Sequence, residues 1–125
     1  MKISCGTDII EIGRIRDSIE DLGEKFLKRV FTDGEIEYCE SKKGQKYQHY
    51  AGRFAAKEAA FKAISSKLDD KYSVCWKDFE VVNDKQGRPQ ISILNVNTEK
   101  IESIDISISH CKLYATANVV VLYKD

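Results

Sequence analysis

Glu58 and Lys62 stand four residues apart, so on a helix they share one face. On a 3.6-residue wheel Ala51, Ala55 and Ser65 lie close to that face, and such small neighbours leave space beside a carboxylate and an ammonium. The same spacing also describes an ordinary surface ion pair, worth about 0.3–0.5 kcal/mol. Asp8 is the second carboxylate of interest. It follows Gly6-Thr7 and would serve either as the cap of the helix behind it or as a partner of Glu58 around Mg2+. That ion takes oxygen ligands, often one or two carboxylates completed by phosphates and waters. His110 alternates in phase with Ile104, Ile106 and Ile108, so in a strand the four point to one side. It reads either as an imidazole satisfied at the edge of the core or as a group that contacts phosphate or moves a proton.

The charge distribution sharpens this. Twenty Lys and Arg balance twenty Asp and Glu, which argues against a general nucleic-acid binder. Between residues 41 and 67, however, seven basic residues (Lys42, Lys43, Lys46, Arg53, Lys57, Lys62, Lys67) face one acid, Glu58. Such a surplus is either a solvated helix face or an anion site inside a neutral protein. The four cysteines form no C-x-x-C pair, so zinc and thioredoxin-type chemistry lack support, and reduced thiols in a cytoplasmic protein are expected. No signal peptide opens the sequence, and the longest apolar run, over 119–123, is far too short to cross a bilayer.

The elements that must position these groups follow from pattern. At 125 residues, 42% hydrophobic and with no Pro/Ser-rich linker, the sequence reads as one domain over 1–125. Alternation of Ile3, Cys5 and Thr7 against Ser4, Gly6 and Asp8 predicts an opening strand that ends near Asp8. Residues 12–30 read as helical, with Ile15, Ile19, Leu22 and Phe26 on one apolar face and Gly23 as a possible break. Thr32 stands three residues before Glu35, as in a capping box, and a short helix over 35–41 should follow. After a polar stretch over 41–48, the alanine-rich segment 50–67 predicts the strongest helix, broken over 68–73. Residues 76–83 and 91–94 read as a hairpin around the turn 84–89, 98–103 as a short helix, and 102–109 and 112–123 as two more strands joined at His110-Cys111. The expected class is α+β, a mostly antiparallel sheet packed with a long central helix.

Three segments together carry a family resemblance. They are Gly6-Thr7-Asp8-Ile9-Ile10-Glu11-Ile12-Gly13-Arg14-Ile15, then Arg53-Phe54-Ala55-Ala56-Lys57-Glu58-Ala59-Ala60-Phe61-Lys62-Ala63, then Ile106-Ser107-Ile108-Ser109-His110 with Tyr114-Ala115-Thr116-Ala117. In order and spacing they resemble the holo-acyl-carrier-protein synthases, the small 4′-phosphopantetheinyl transferases, from Ile3 to Leu122. The sequence departs from that pattern at Ile64-Ser65, where Leu-Gly is usual, and at Cys111, where a small hydroxyl residue is common.

The resemblance implies transfer of the 4′-phosphopantetheine arm of coenzyme A to a serine of apo-acyl carrier protein, with release of adenosine 3′,5′-bisphosphate. In it, Asp8 and Glu58 hold Mg2+ against the pyrophosphate and Lys62 adds positive charge. Arg53 and His110 contact coenzyme A phosphates, and Arg14 contacts the acidic carrier, with Arg16, Lys25, Lys28 and Arg29 as further basic candidates. The serine proton goes to a water at the metal or to a carboxylate such as Glu58. Family members of this size resemble homotrimers with sites between subunits, where Arg53 would serve a neighbour, and fatty acid synthesis is the default pathway for a short stand-alone member. Two other classes compete: another Mg2+-dependent phosphoryl or nucleotidyl enzyme, and a non-enzymatic module that binds coenzyme A or a carrier. Product from labelled coenzyme A without carrier protein marks the first, and magnesium-dependent turnover excludes the second.

Overall fold

Strand β1 (Lys2–Glu11) opens the chain and leads directly into helix α1 (Ile12–Leu22), followed by α2 (Glu24–Val30), α3 (Asp33–Glu40) and the long α4 (Lys46–Ile64). Four strands complete it: β2 (Phe79–Asn83), β3 (Pro89–Ile93), β4 (Ile101–His110) and β5 (Tyr114–Tyr123). This is a computed structural model, which describes residues 1–68 and 74–125. The expected break over 68–73 lies, apart from Leu68, outside the described residues. The α+β class with antiparallel pairing is as expected: β1, β5 and β4 form one sheet in that order, and β2 with β3 forms a separate hairpin. Among the described residues no helix is long and apolar enough to cross a membrane.

The alanines of α4 decide the packing. Ala51, Ala55, Ala56, Ala59, Ala60 and Ala63 are all fully buried. With only a methyl group each, they let neighbouring backbone approach the helix closely on several sides. On β1 the approach is tighter still, because a Cβ on Gly6 would lie 2.0 Å from the Ala59 carbonyl oxygen. Ser4 Oγ and Tyr123 Oη both donate to the carbonyl of Ala63, at 2.7 and 3.2 Å, which satisfies one acceptor near the C-terminal end of the helix. Ala51 and Ala55 therefore make room for packed neighbours, not for a ligand beside Glu58.

This contact decides which face of β1 is buried. Its small face, Ser4 and Gly6, packs on α4, while Ile3, Cys5, Thr7 and Ile9 face outward. Other boundaries shift for local reasons. Gly23, at φ 60°, splits the expected long helix in two, and this turns Leu22 out to 51% exposure instead of placing it on the Ile15–Ile19 face. The Thr32–Glu35 capping box forms, with Glu35 N–H donating to Thr32 Oγ1 at 3.3 Å and Thr32 N–H donating to Glu35 Oε1 at 2.9 Å. Residues Trp76–Asp78 are a single 3-10 turn and not the start of a strand, because Asp78 accepts from the Cys75 N–H at 2.9 Å and closes it. The short helix expected over 98–103 is absent. Residues 99 and 100 are a turn, and Ile101 already pairs with Tyr123. Asp8 caps no helix: the N-cap of α1 is Glu11, without a side-chain bond.

Candidate functional site

The contact between β1 and α4 builds the first cluster. Ser4 meets Ala63 and Gly6 meets Ala59, so β1 runs antiparallel to the helix. Two strand residues cover about the rise of one helical turn, which brings Asp8 level with the turn between Ala55 and Ala59 that carries Glu58. Lys62 confirms the alignment: its ammonium donates to Asp8 Oδ1 at 3.2 Å and to the Thr7 carbonyl at 3.0 Å. The ion pair that the helix spacing suggested between Glu58 and Lys62 is replaced by this longer-range one. Lys62 is 53% exposed and Asp8 18%, so the pair sits at a mouth open to solvent. An ammonium has three donors, and two are used here, which leaves one for an incoming anion. The second Asp8 oxygen has no partner among the described residues, while the Asp8 carbonyl is fixed by the Thr116 hydroxyl at 2.9 Å.

Glu58 leans the other way round the helix. Its Oε1 accepts from the indole N–H of Trp76 at 3.0 Å, and together with Phe61, Val74, Cys75 and Phe79 it lines a cavity of about 240 Å³. The donor set of this region suits Mg2+: it offers hard carboxylate oxygens and a mouth open to water. Among the described residues no group of three or more His, Cys, Asp or Glu comes together, so a cation here would complete its shell from phosphate and water.

The second cluster is a cleft of about 220 Å³ lined by Tyr38, His49, Arg53, Asn83, Pro89 and His110, among others. Arg53 is only 4% exposed. Its Nη2 donates to Asn83 Oδ1 at 2.7 Å, its guanidinium lies 4.1 Å from the Tyr38 ring centroid, and its Nε is buried with no hydrogen-bond partner. Among the described residues no carboxylate pairs with it. A buried cation without a counter-charge is costly, so the cleft is built for an anion. His110 lies on the inward row as the alternation required, yet it is exposed at the cleft and stacks edge-on to His49 at 5.9 Å. Burial, then Arg53 and Lys42, hold the His49 imidazole below its ordinary pKa, another sign that the cleft is electropositive.

Two of the seven basic residues in the 41–67 surplus are thus not on a solvated face: Arg53 is in the cleft and Lys57 is buried against Glu35. Sequence reasoning missed Trp76, Tyr38, His49 and Asn83. Only His49 left a signal, four residues before Arg53 on the same helix face. On α1, Arg14 is exposed and Arg16 pairs with Asp17 at 3.6 Å, while Lys28 on α2 pairs with Asp33 at 2.9 Å.

The turn after His110 adds a reactive group. The amides of Leu113 and then Tyr114 hold the exposed Cys111 thiol below the ordinary thiol pKa, whereas burial pushes Cys39 up to about 12. Thiolate is the reactive form, so brief treatment with iodoacetamide at neutral pH should alkylate Cys111 first and leave Cys39 unmodified. Peptide mass spectrometry reads this directly, and modification of Cys39 ahead of Cys111 in folded protein would contradict it.

Residues 4–119 match the family model of the 4′-phosphopantetheinyl transferase superfamily. The chain is 42% identical over 130 residues to a holo-acyl-carrier-protein synthase of Ruminiclostridium cellulolyticum, covering 100% of this chain and 96% of that one. It is 45% identical over 122 residues to the same-named protein of Protochlamydia amoebophila, covering 96% and 98%. The Helicobacter pylori holo-acyl-carrier-protein synthase, solved in complex with coenzyme A, superposes with a TM-score of 0.82 at 31% identity over 94% of this chain and 99% of that one.

Proposed function

This chain belongs to the 4′-phosphopantetheinyl transferase superfamily, within its holo-acyl-carrier-protein synthases, and from that premise we propose that it transfers the 4′-phosphopantetheine arm of coenzyme A to a serine of an apo-acyl carrier protein. The reaction is Mg2+-dependent phosphoryl transfer in the cytoplasm and releases adenosine 3′,5′-bisphosphate. The observation that carries this reading is the Lys62–Asp8 contact between α4 and β1, two elements that the Gly6–Ala59 approach locks together, with Glu58 one turn before Lys62 on the same helix.

Phosphoryl transfer asks a protein mainly for positioning and charge neutralisation. Asp8 and Glu58 would hold Mg2+, which when bound neutralises charge on the pyrophosphate. Lys62 orients Asp8 with one donor, anchors on the Thr7 carbonyl with a second and offers the third to a phosphate oxygen. The unpaired Arg53 guanidinium, with His110 across the cleft, binds a further coenzyme A phosphate. Arg14, with basic neighbours on α1 and α2, meets the acidic carrier, so docking should weaken with ionic strength. Ile3 and Ile9 on β1 and Val120 on β5 are exposed at 69%, 65% and 45% on the outer face of the three-stranded sheet. That apolar face supports assembly as a homotrimer, with Arg53 and His110 completing their own or a neighbour's site.

The test is the intact mass of an apo-acyl carrier protein after incubation with this protein, coenzyme A and Mg2+. A gain of about 340 Da, one phosphopantetheine, is expected and should vanish with EDTA. No gain on any of several carriers, with folded protein, would sink the reading. Arg53→Lys should raise KM for coenzyme A about 10–100-fold with a smaller change in kcat, because a point charge cannot reproduce the fork held between Tyr38 and Asn83. An unchanged KM would remove Arg53 from the phosphate site.

A further inference from the structure

We infer that Trp76 is a positioning residue for the Glu58 carboxylate: its indole N–H fixes the carboxylate rotamer in which Glu58 presents its remaining lone pairs to the metal. The inference rests on the metal-ligand role proposed above for Glu58. An exposed glutamate on a helix samples several rotamers, and each must be given up when it ligates a cation. Here one carboxylate oxygen is already engaged, by Trp76 Nε1 at 3.0 Å. A carboxylate offers about four lone-pair directions, so one bond orients it and leaves the others free. An indole N–H can only donate, so it cannot compete with the carboxylate for the metal.

Trp76 is itself held by the helix that carries Glu58. Its ring packs on that of Phe54, with centroids 6.0 Å apart, and its carbonyl accepts from the Lys57 ammonium at 3.1 Å. The Cys75–Asp78 bonds close the single turn on which it stands. Phe54, Lys57 and Glu58 therefore grip one residue from a single stretch of α4, and the indole position is referenced to the carboxylate it serves. Outer partners of this kind are commonly worth 10–100-fold in metal affinity or activity.

The chain has one tryptophan, so replacing all tryptophan during expression alters this position alone. Benzothienylalanine keeps the ring and its packing but has sulfur where the indole carries N–H. The probe is Mn2+, whose free signal in electron paramagnetic resonance is lost on binding, titrated with coenzyme A present. We expect the dissociation constant to rise about 10–100-fold in the benzothienylalanine protein and in Trp76→Phe, with far-UV circular dichroism unchanged. Activity should fall at low Mg2+ and recover at high Mg2+, since the carboxylate itself remains. An unchanged dissociation constant in the benzothienylalanine protein would overturn the positioning role, even if Trp76→Phe were unstable. Native protein that transfers phosphopantetheine yet binds no Mn2+ would overturn the ligand assignment of Glu58 and this inference with it, and the native arm tells that result from the first.

Discussion

Glu58→Gln is expected to lower kcat for carrier modification by more than about a hundredfold while leaving the fold and its melting temperature nearly unchanged. The two halves of this expectation have separate causes. Glutamine has almost the shape of glutamate, and its amide oxygen can still accept the Trp76 N–H that Glu58 Oε1 accepts now. Glu58 has no ion pair among the described residues, so no cation is left stranded. The loss is confined to charge. A neutral amide is a poor ligand for Mg2+, and Asp8 alone, already sharing one oxygen with Lys62, would have to hold the ion. Outer-shell losses at metal sites cost 10–100-fold, so a lost direct ligand should exceed that range. Steady-state kinetics over a Mg2+ series, with a thermal melt of the same preparation, checks both halves. Normal turnover at limiting Mg2+ would refute the ligand assignment.

What could be read in the sequence follows the range of the interaction. Local signals translated well. The Thr32–Glu35 spacing became a capping box, the alanine run became α4, and the turn over 84–89 joined β2 to β3. Where a local signal failed, a longer-range contact had overruled it. The alternation of Ile3, Cys5 and Thr7 against Ser4 and Gly6 marks a strand without choosing its inner face, and the helix backbone makes that choice by coming so close that only the Ser4–Gly6 side fits against it. The start expected for a helix at Thr98 yields to the pairing of Ile101 with Tyr123. The site shows the same division. Helical spacing put Glu58 and Lys62 on one face, but Lys62 turns to β1 and Glu58 to Trp76, and no periodicity contains either choice. Arg53 and His110 were joined only by the family resemblance. Their meeting depends on β4 lying beside α4, where Ile108 sits 3.0 Å from the Cβ position of Gly52.

The largest effect on stability should come from Lys57, which the sequence offers as one more member of a basic run. Its ammonium is completely buried, 2.6 Å from Glu35 Oε1, and donates to the carbonyls of Val30 at 2.9 Å, Trp76 at 3.1 Å and Phe79 at 2.7 Å. Burial pushes the ammonium below the usual lysine pKa, and the Glu35 carboxylate opposes that push. One nitrogen thus ties the end of α2, the start of α3, the Trp76 turn and β2 to the central helix. Glu35 is spoken for as well, since Oε1 takes the Thr32 N–H and Oε2 the Val81 N–H at 2.8 Å. Lys57→Met keeps most of the volume but strands a buried carboxylate and three carbonyls. Breaking one partner of a buried pair costs about 3–5 kcal/mol, a large share of the 5–15 kcal/mol typical of a domain. Urea denaturation should show that loss. Adding Glu35→Gln should recover part of it, because the stranded charge is then gone, so the double variant should be less destabilised than the sum of the singles. A loss below about 1 kcal/mol for Lys57→Met would mean that water replaces the ammonium at little cost. Full additivity would mean that the two side chains act separately. The expected coupling makes Lys57 a structural residue set beside the chemistry: it carries no phosphate, but it holds Trp76, and through Trp76 the carboxylate next to it on the helix.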